Sequence, residues 1–408
     1  MSRVIFLIDM ECFYASCEKR LHPETDGRPL LVAADPRQSS GIVLAACPLA
    51  KSRGVSTADR LAQALAKCPD AIVCRPHMQY YIDVSLAILR IVGTFTDLVE
   101  PYSIDELFAD VTGSLHRNQS AESLAKTIQH RIGEHTSIYA RIGIGSNKVL
   151  AKMACDQFSK KNQSGLFTLD DTNLQQRLWP LPVAALFGVG KQMDRHLRGM
   201  GIRNVGQLAH YPLDLLRRRW GINGELLQRT ACGLDSAPVS AASFLTHKTI
   251  GHHITLPHNY ETPRDIGIVL LELCGEVAER ARDERVRGST VSVSLSGRLS
   301  HRTGFRGQQK LSFSTNYDMD IYRAALPLIH KRWDGMPVRG LSVTLSDLSP
   351  ADCYQLDWFE APEYKEQLTG AIDRIRRAYG QKSLCRSMSL LPASQFAVRA
   401  EKIGGHFK

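Results

Sequence analysis

The stretch Glu100-Pro101-Tyr102-Ser103-Ile104-Asp105-Glu106-Leu107-Phe108 decides the fold, because it sets two adjacent acids inside an apolar, strand-like context. The run from Ile91 to Val99 ahead of it is apolar-rich, and Leu107-Phe108-Ala109-Asp110-Val111 behind it has strand composition. The acids therefore sit at a hairpin turn. Two carboxylates about 4 Å apart repel by roughly 4 kcal/mol at an effective dielectric near 20, so the pair calls for a bound cation or a raised pKa. Alternatively, Asp105 and Glu106 are turn residues facing water.

A distant acid bears on that choice. The chain opens Arg3-Val4-Ile5-Phe6-Leu7-Ile8-Asp9-Met10-Glu11-Cys12-Phe13-Tyr14, an apolar run of the kind that forms a buried strand and ends in a carboxylate. If this strand pairs beside the hairpin, Asp9 meets Asp105 and Glu106. Three converging carboxylates suit hard divalent cations, magnesium first.

At 408 residues the chain has room for two to four domains. Its 43% apolar and 23% charged composition is that of an ordinary globular protein, and its net charge of +10 fits a polyanionic partner, nucleic acid before membrane. Residues 4–8 are too few for a signal-peptide core or a spanning helix, which points to a cytoplasmic protein without a membrane partner. The ten cysteines contain no CxxC pair and read as reduced thiols.

Along the chain, helical spacing follows Asp9 through Phe13, Tyr14 and Cys17. Two strands flank a turn between residues 29 and 46, with a basic segment at Lys51-Ser52-Arg53-Gly54. A helix leads from Tyr80 to Ile91 into the acidic hairpin. Another spans 122–134, and a strand to Gly145 enters a helix with Lys148 and Lys152 on one face. That order predicts an antiparallel sheet with helices on one side. In residues 181–208, Gly188-Val189-Gly190-Lys191 fits two structures: a helix-hairpin-helix whose turn offers backbone N–H groups to a phosphate, or a plain helical hairpin with a glycine cap.

Small polar residues over 234–248 read as a linker, and alternating strands and helices follow to residue 350. The connection holding Arg298, Arg302, Arg306 and Lys310 carries four cations and no acid, as a solvated loop or a phosphate-tracking one. Gln355-Leu356-Asp357-Trp358-Phe359 puts three large apolar groups in a polar context, either as a last strand or as an anchor for a partner's pocket. Leu368, Ile372, Ile375 and Tyr379 mark an amphipathic helix before a basic tail.

Taken together, the Asp9 strand, the Ser103-Ile104-Asp105-Glu106 hairpin, the Gly143–Ala154 strand and helix, the Gly188-Val189-Gly190 turn and the 355–359 pentapeptide resemble the Y-family translesion DNA polymerases. The likeness is to the DinB and UmuC branch, including the UV-protection (UvrX-like) type of Gram-positive bacteria. It runs over nearly the whole chain.

The resemblance implies an α+β multidomain right hand: palm at 1–10 and 78–166, fingers at 11–77, helical thumb at 167–233, linker at 234–248, and an α/β little finger at 249–350. Residues 351–408 would hold a clamp-binding motif, a helix and the tail. It implies low-fidelity, template-directed DNA synthesis past damaged bases by a monomer acting on primer-template DNA and deoxynucleoside triphosphates. Asp9, Asp105, Glu106 and the carbonyl of Met10 would hold two magnesium ions. Tyr14, beside Phe13, would be a gate against ribose, and Ile42 would roof the nascent pair. Where many relatives have Tyr and Arg on the triphosphate, this chain has Pro48 and Lys51. Arg53 competes with Lys51 for that role, and Lys160 with Lys161 for a second contact. Gly188, Gly190, Lys191 and the four cations of the 298–310 connection would meet DNA, and Gln355, Leu356, Trp358 and Phe359 a sliding clamp. Two other classes compete: a non-catalytic clamp-binding relative and a small-molecule nucleotidyl cyclase.

Overall fold

The computed structural model describes residues 3–33, 41–115, 120–241, 247–297, 304–352, 362–403 and 406–407. Along the chain these fall into two compact units, the first in residues up to 245 and the second in residues after it.

In the first unit, β1 (Ile5–Met10) is followed by α1 (Phe13–Leu21), β2 (Leu30–Ala33), β3 (Val43–Ala46), α2 (Pro48–Ser52), α3 (Leu61–Lys67) and β4 (Ile72–Cys74). Next come α4 (Met78–Gly93), β5 (Val99–Pro101), β6 (Glu106–Asp110), α5 (Ala121–Thr136), β7 (Ala140–Gly145), α6 (Lys148–Gln157) and β8 (Leu166–Leu169). Five short helices close the unit: α7 (Leu174–Arg177), α8 (Lys191–Gly199), α9 (Val205–Ala209), α10 (Leu213–Trp220) and α11 (Ile222–Ala231).

The main sheet runs β5-β6-β1-β7-β8. Every residue of β1 is buried, as a near-continuous apolar strand must be when both faces of its sheet are covered. Helices therefore lie on both sides of the sheet, where the sequence pattern had suggested one. On one face Ile5 and Leu7 pack with Phe108, with Ala151 and Cys155 of α6, and with Val239. The burial of Val239, and the bond from the Ser240 amide to Glu100 at 2.9 Å, tie the start of the expected linker onto this sheet. The pairing is antiparallel except at β7 and β8, which run parallel, so the sheet is mixed. A smaller sheet, β3-β2-β4, adds a parallel strand at Ile72–Cys74 that the sequence reading left unassigned.

What sets the height of α6 over the sheet is glycine. A Cβ on Gly143 would stand 2.1 Å from the Ala151 carbonyl oxygen and 2.3 Å from the Cys155 nitrogen, and one on Gly145 would stand 2.5 Å from the Ala151 nitrogen. Helix backbone thus rests directly on strand backbone. At the N-terminus of α6 the Asn147 side chain accepts from the Leu150 amide at 2.9 Å and donates to the Gly233 carbonyl at 2.8 Å, capping the helix and fixing its start. The short helices α7 to α11 share a core of Leu178, Val183, Leu186, Leu197, Val205 and Leu216.

The second unit is an antiparallel sheet, β11-β10-β12-β9, built from β9 (Thr249–Tyr260), β10 (Val286–Ser296), β11 (Arg306–Thr315) and β12 (Val338–Pro350). Helices α12 (Pro263–Asp283) and α13 (Asp318–Arg332) share its apolar core. Arg306 and Lys310 lie on the edge strand β11, not in a loop; exposed polar residues are normal on an edge strand and hid it from a pattern search. Arg298, Arg302 and the pentapeptide residues Gln355, Leu356, Trp358 and Phe359 lie outside the described residues. Helix α14 (Pro362–Tyr379) forms where the apolar spacing placed an amphipathic helix, but Leu368, Ile375 and Tyr379 are exposed, while Thr369 and Asp373 are buried. Its anchor is electrostatic, a forked bond from Arg282 to Asp373 at 2.6 and 2.8 Å. Nine cysteines are described and all are free. Among the described residues no helix is long and apolar enough to cross a membrane.

The glycine contact yields a paired prediction. Gly143→Ala lowers stability to urea by about 3 kcal/mol, the scale of overpacking a core. Gly133→Ala in α5, where nothing lies within 4 Å of the added carbon, raises it by roughly 0.5–1 kcal/mol. Equal effects would show that α6 does not rest on the strand in this way.

Candidate active site

Antiparallel register does the first part of the assembly. In the β1–β6 ladder Asp9 stands directly opposite Glu106, and residues so paired point to one face. That face is the one covered by α6, since Leu7 is paired with Phe108 on one side and Gly143 on the other. The pairing continues past the strand, with the Met10 amide donating to the Asp105 carbonyl at 2.9 Å. In the turn the amides of Tyr102 and Ser103 both donate to the Glu106 carbonyl, at 2.8 and 3.0 Å.

Asp9 is 6% exposed. Its carboxyl pKa is pushed up to about 7, by burial first and by the adjacent Glu106, with Lys160 pulling the other way. Helix α6 and the 3-10 turn that follows it, Ser159–Lys161, supply the compensation. Lys152 reaches both oxygens of Glu106 at 2.9 and 3.1 Å and Asp156 at 3.2 Å. Lys160 reaches Asp9 at 2.7 Å and Asp156 at 2.8 Å, with Glu106 at 4.0 Å. One turn earlier Lys148 holds the buried Glu100 through both oxygens at 3.0 Å. The result is a ladder at four-residue spacing, Lys148, Lys152, Asp156 and Lys160, laid along the carboxylates. Burial opposes the charge on Lys152 and Lys160, yet their acidic partners outweigh it and both pKa values are raised.

Carboxylate oxygens of Asp9, Glu106 and Asp156 lie within 4.8 Å of one another. This is an all-oxygen donor set suited to a hard divalent cation. Asp156 was not among the acids singled out in the sequence, although its place four residues from both Lys152 and Lys160 was the available signal. Asp105, which was singled out, stands apart from that trio. Its carboxyl takes a hydrogen bond from the Ser103 hydroxyl, and it contributes to raising the pKa of the Tyr14 phenol, which burial raises most.

Tyr14 is half-buried on α1, one residue from the buried Phe13. Its ring stacks on Tyr81 with centroids 4.6 Å apart and planes at 19°. Ile42 is 48% exposed. Of the two cations near Pro48, Arg53 is engaged by Asp70 and by the Cys68 sulfur, whereas Lys51 lies beside Cys12 and pulls down a thiol pKa that burial raises. Lys161 contacts Gln157 at 3.2 Å, and Lys160 alone of that pair joins the acids. At the glycine turn, Gly188 has φ +87°, which favours glycine, while Gly190 caps α8 with φ −82° and Lys191 is exposed. The segment before that turn is a single 3-10 turn, Val183–Ala185, in place of a full helix.

Comparison with known proteins gives consistent matches. Residues 8–156 match the impB/mucB/samB family, and residues 247–358 its C-terminal domain. The chain is 50% identical to DNA polymerase IV 2 of Bacillus subtilis over 408 residues, covering 100% of this chain and 99% of that one. The putative UV-damage repair protein UvrX of the same organism is 34% identical, over 98% and 97% of the two chains. Among solved structures, a Y-family DNA polymerase chimera of Dbh and Dpo4 superposes with a TM-score of 0.73 at 24% identity, covering 84% of this chain and 98% of that one.

The state of Asp9 predicts a pH dependence. Its folded pKa, about 7, lies above an unfolded value near 3.9. The folded state therefore binds the proton more tightly, and this contribution to stability is full below pH 4 and lost as pH rises through 7. Without divalent cation, wild type loses on the order of 2–4 kcal/mol relative to Asp9→Asn between pH 5 and pH 8. Thermal melts of both proteins at the two pH values measure it; parallel curves would contradict the shift.

Proposed function

The chain belongs to the impB/mucB/samB family, the Y-family DNA polymerases, and from that membership and its cluster of acids we infer how it works. It is a template-directed DNA polymerase of the translesion class, and its substrates are DNA and nucleotides. The observation that carries the mechanism is the Asp9–Glu106 cross-strand pair, facing a helix that presents Lys152 and Asp156 and a following turn that presents Lys160. The likeness to relatives named as polymerases gives no support to the non-catalytic or cyclase readings.

Polymerases of this family use divalent metal ions. Asp9 and Glu106, with Asp105 and the Met10 carbonyl, would hold them here, and Asp156 fits the same donor set. We assign magnesium, two ions, from the hardness of the oxygen ligands. When bound, they activate the primer 3′-hydroxyl and offset the charge on the triphosphate and leaving pyrophosphate. The remaining work falls to this chain's own groups. Lys160 supplies a mobile ammonium for the triphosphate, and Lys51 a second one, as point charges without the fork of an arginine. Tyr14 closes the space below the sugar so that a 2′-hydroxyl, the mark of a ribonucleotide, is excluded. Ile42, half-exposed, roofs the nascent pair.

In this reading residues 1–10 and 78–166 are the palm, 11–77 the fingers, 167–233 the thumb and 249–350 the little finger. Backbone N–H groups at Gly188 and Gly190, with Lys191, meet a phosphate, and Arg306 and Lys310 on their edge strand meet another stretch of backbone. Residues 355–359 dock on a sliding clamp through Trp358 and Phe359. The protein works in the cytoplasm as a monomer.

Two measurements test the reading. Primer extension on damaged and undamaged templates should require divalent cation and fall by about 10²–10³-fold in Glu106→Gln and Asp105→Asn; extension that survives both substitutions would remove the carboxylates from the chemistry. At the thumb, nothing lies within 4 Å of where a Cβ on Gly190 would stand. Gly190→Ala should therefore melt like wild type yet bind primer-template DNA about tenfold more weakly, because the added methyl would hold a phosphate off the turn's N–H groups at a cost of one or two hydrogen bonds. Unchanged DNA affinity would return this turn to a purely structural role.

A further inference from the structure

The fully buried acid Glu18 lies outside the catalytic cluster and has no part in the mechanism above. At 0% exposed it is the most deeply buried acid among the described residues. One of its oxygens, Oε1, accepts from the Tyr81 hydroxyl and faces His77 Nδ1 at 2.9 Å. The other, Oε2, has no hydrogen-bond partner among the described residues, and His22 Nε2 stands 3.9 Å away. A buried carboxylate satisfied on one side only is a poor way to stabilise a core, since well-packed apolar groups do as well or better. It is a good way to fix the position of what it holds.

What it holds is Tyr81. Tyr14 and Glu18 are four residues apart on α1 and so share one face. Tyr81, itself 0% exposed, spans that turn: its ring lies against Tyr14 and its hydroxyl reaches Glu18. The hydroxyl is held protonated, by burial and then by this bond. Phe13 closes the edge of the Tyr81 ring, at 6.4 Å and 64°.

We propose that Glu18 is a positioning residue for sugar selection: by pinning Tyr81 it gives Tyr14 a rigid floor, and so sets how strongly ribonucleotides are rejected. The proposal rests on the reading of Tyr14 as the gate. Rejecting one extra hydroxyl by bulk alone is a task of low intrinsic discrimination, so a gate free to settle into its floor would lose selectivity while still admitting deoxynucleotides.

The experiment is single-nucleotide insertion with wild type, Glu18→Gln, Tyr81→Phe, the double variant and Tyr14→Ala, comparing kcat/KM for matched deoxy- and ribonucleotides, with melts to verify folding. Tyr14→Ala should collapse discrimination. Glu18→Gln, whose neutral amide is a weaker acceptor, and Tyr81→Phe should each lower discrimination about tenfold. The fall should come from faster ribonucleotide insertion, and the double variant should be no worse than either single, because both break one bond. Should Glu18→Gln not fold, Tyr81→Phe decides alone. Wild-type discrimination in these variants, or equal losses for both sugars, would overturn the proposal while Tyr14→Ala still answers for the gate. If Tyr14→Ala itself leaves discrimination intact, the gate reading fails first and takes this inference with it.

Discussion

The structure depends on one electrostatic constraint: acids placed opposite each other in a buried ladder need cations that arrive from a fixed direction. Asp9 and Glu106 are forced together by register, and register cannot slip without turning the whole of β1 inside out. Lys152 answers them from α6 and Lys160 from the 3-10 turn that follows it. That helix can do so because Asn147 fixes its start and because two glycines let it sit on the sheet. Stability and chemistry are thus bound to the same few contacts.

Much of this was legible in the chain, for reasons that can be named. The uninterrupted apolar run before Asp9 announces a strand buried on both faces, and the acids of 105 and 106 sit where two strand patterns meet. Lys148 and Lys152 advertise their shared face by spacing alone. The same spacing carries on to Asp156 and, in the 3-10 turn after the helix, to Lys160, beyond the apolar positions that end at Ala154. Register was open until the fold supplied it, because nothing local says which strand β1 chooses.

Other elements were hidden by physics rather than inattention. The edge strand β11 carries Arg306, Gln308, Gln309 and Lys310 in its first half, a composition that is also that of a loop. Helix α14 displays an apolar stripe, yet it is held by Arg282 and Asp373; apolar periodicity cannot report an anchor made of charge. Nor does sequence spacing reveal that Glu18, four residues past the tyrosine at position 14, would be sealed from water. Tyr81 of α4, with His77 just before that helix, comes to stand over it only in the fold.

The backbone contact between α6 and β7 has a further consequence. With no side chain between helix and strand, the separation of lysine roots from carboxylates is set by peptide atoms, which do not yield. What can move is the end of the Lys160 arm, which is partly exposed where Lys152 is buried, and rotations of exposed side chains take picoseconds to nanoseconds. The fold therefore behaves as an ion exchanger whose resting counter-ions are covalently tethered. Asp9, Glu106 and Asp156 would hold a divalent ion in the place an ammonium now takes, with no need to pry open a sheet.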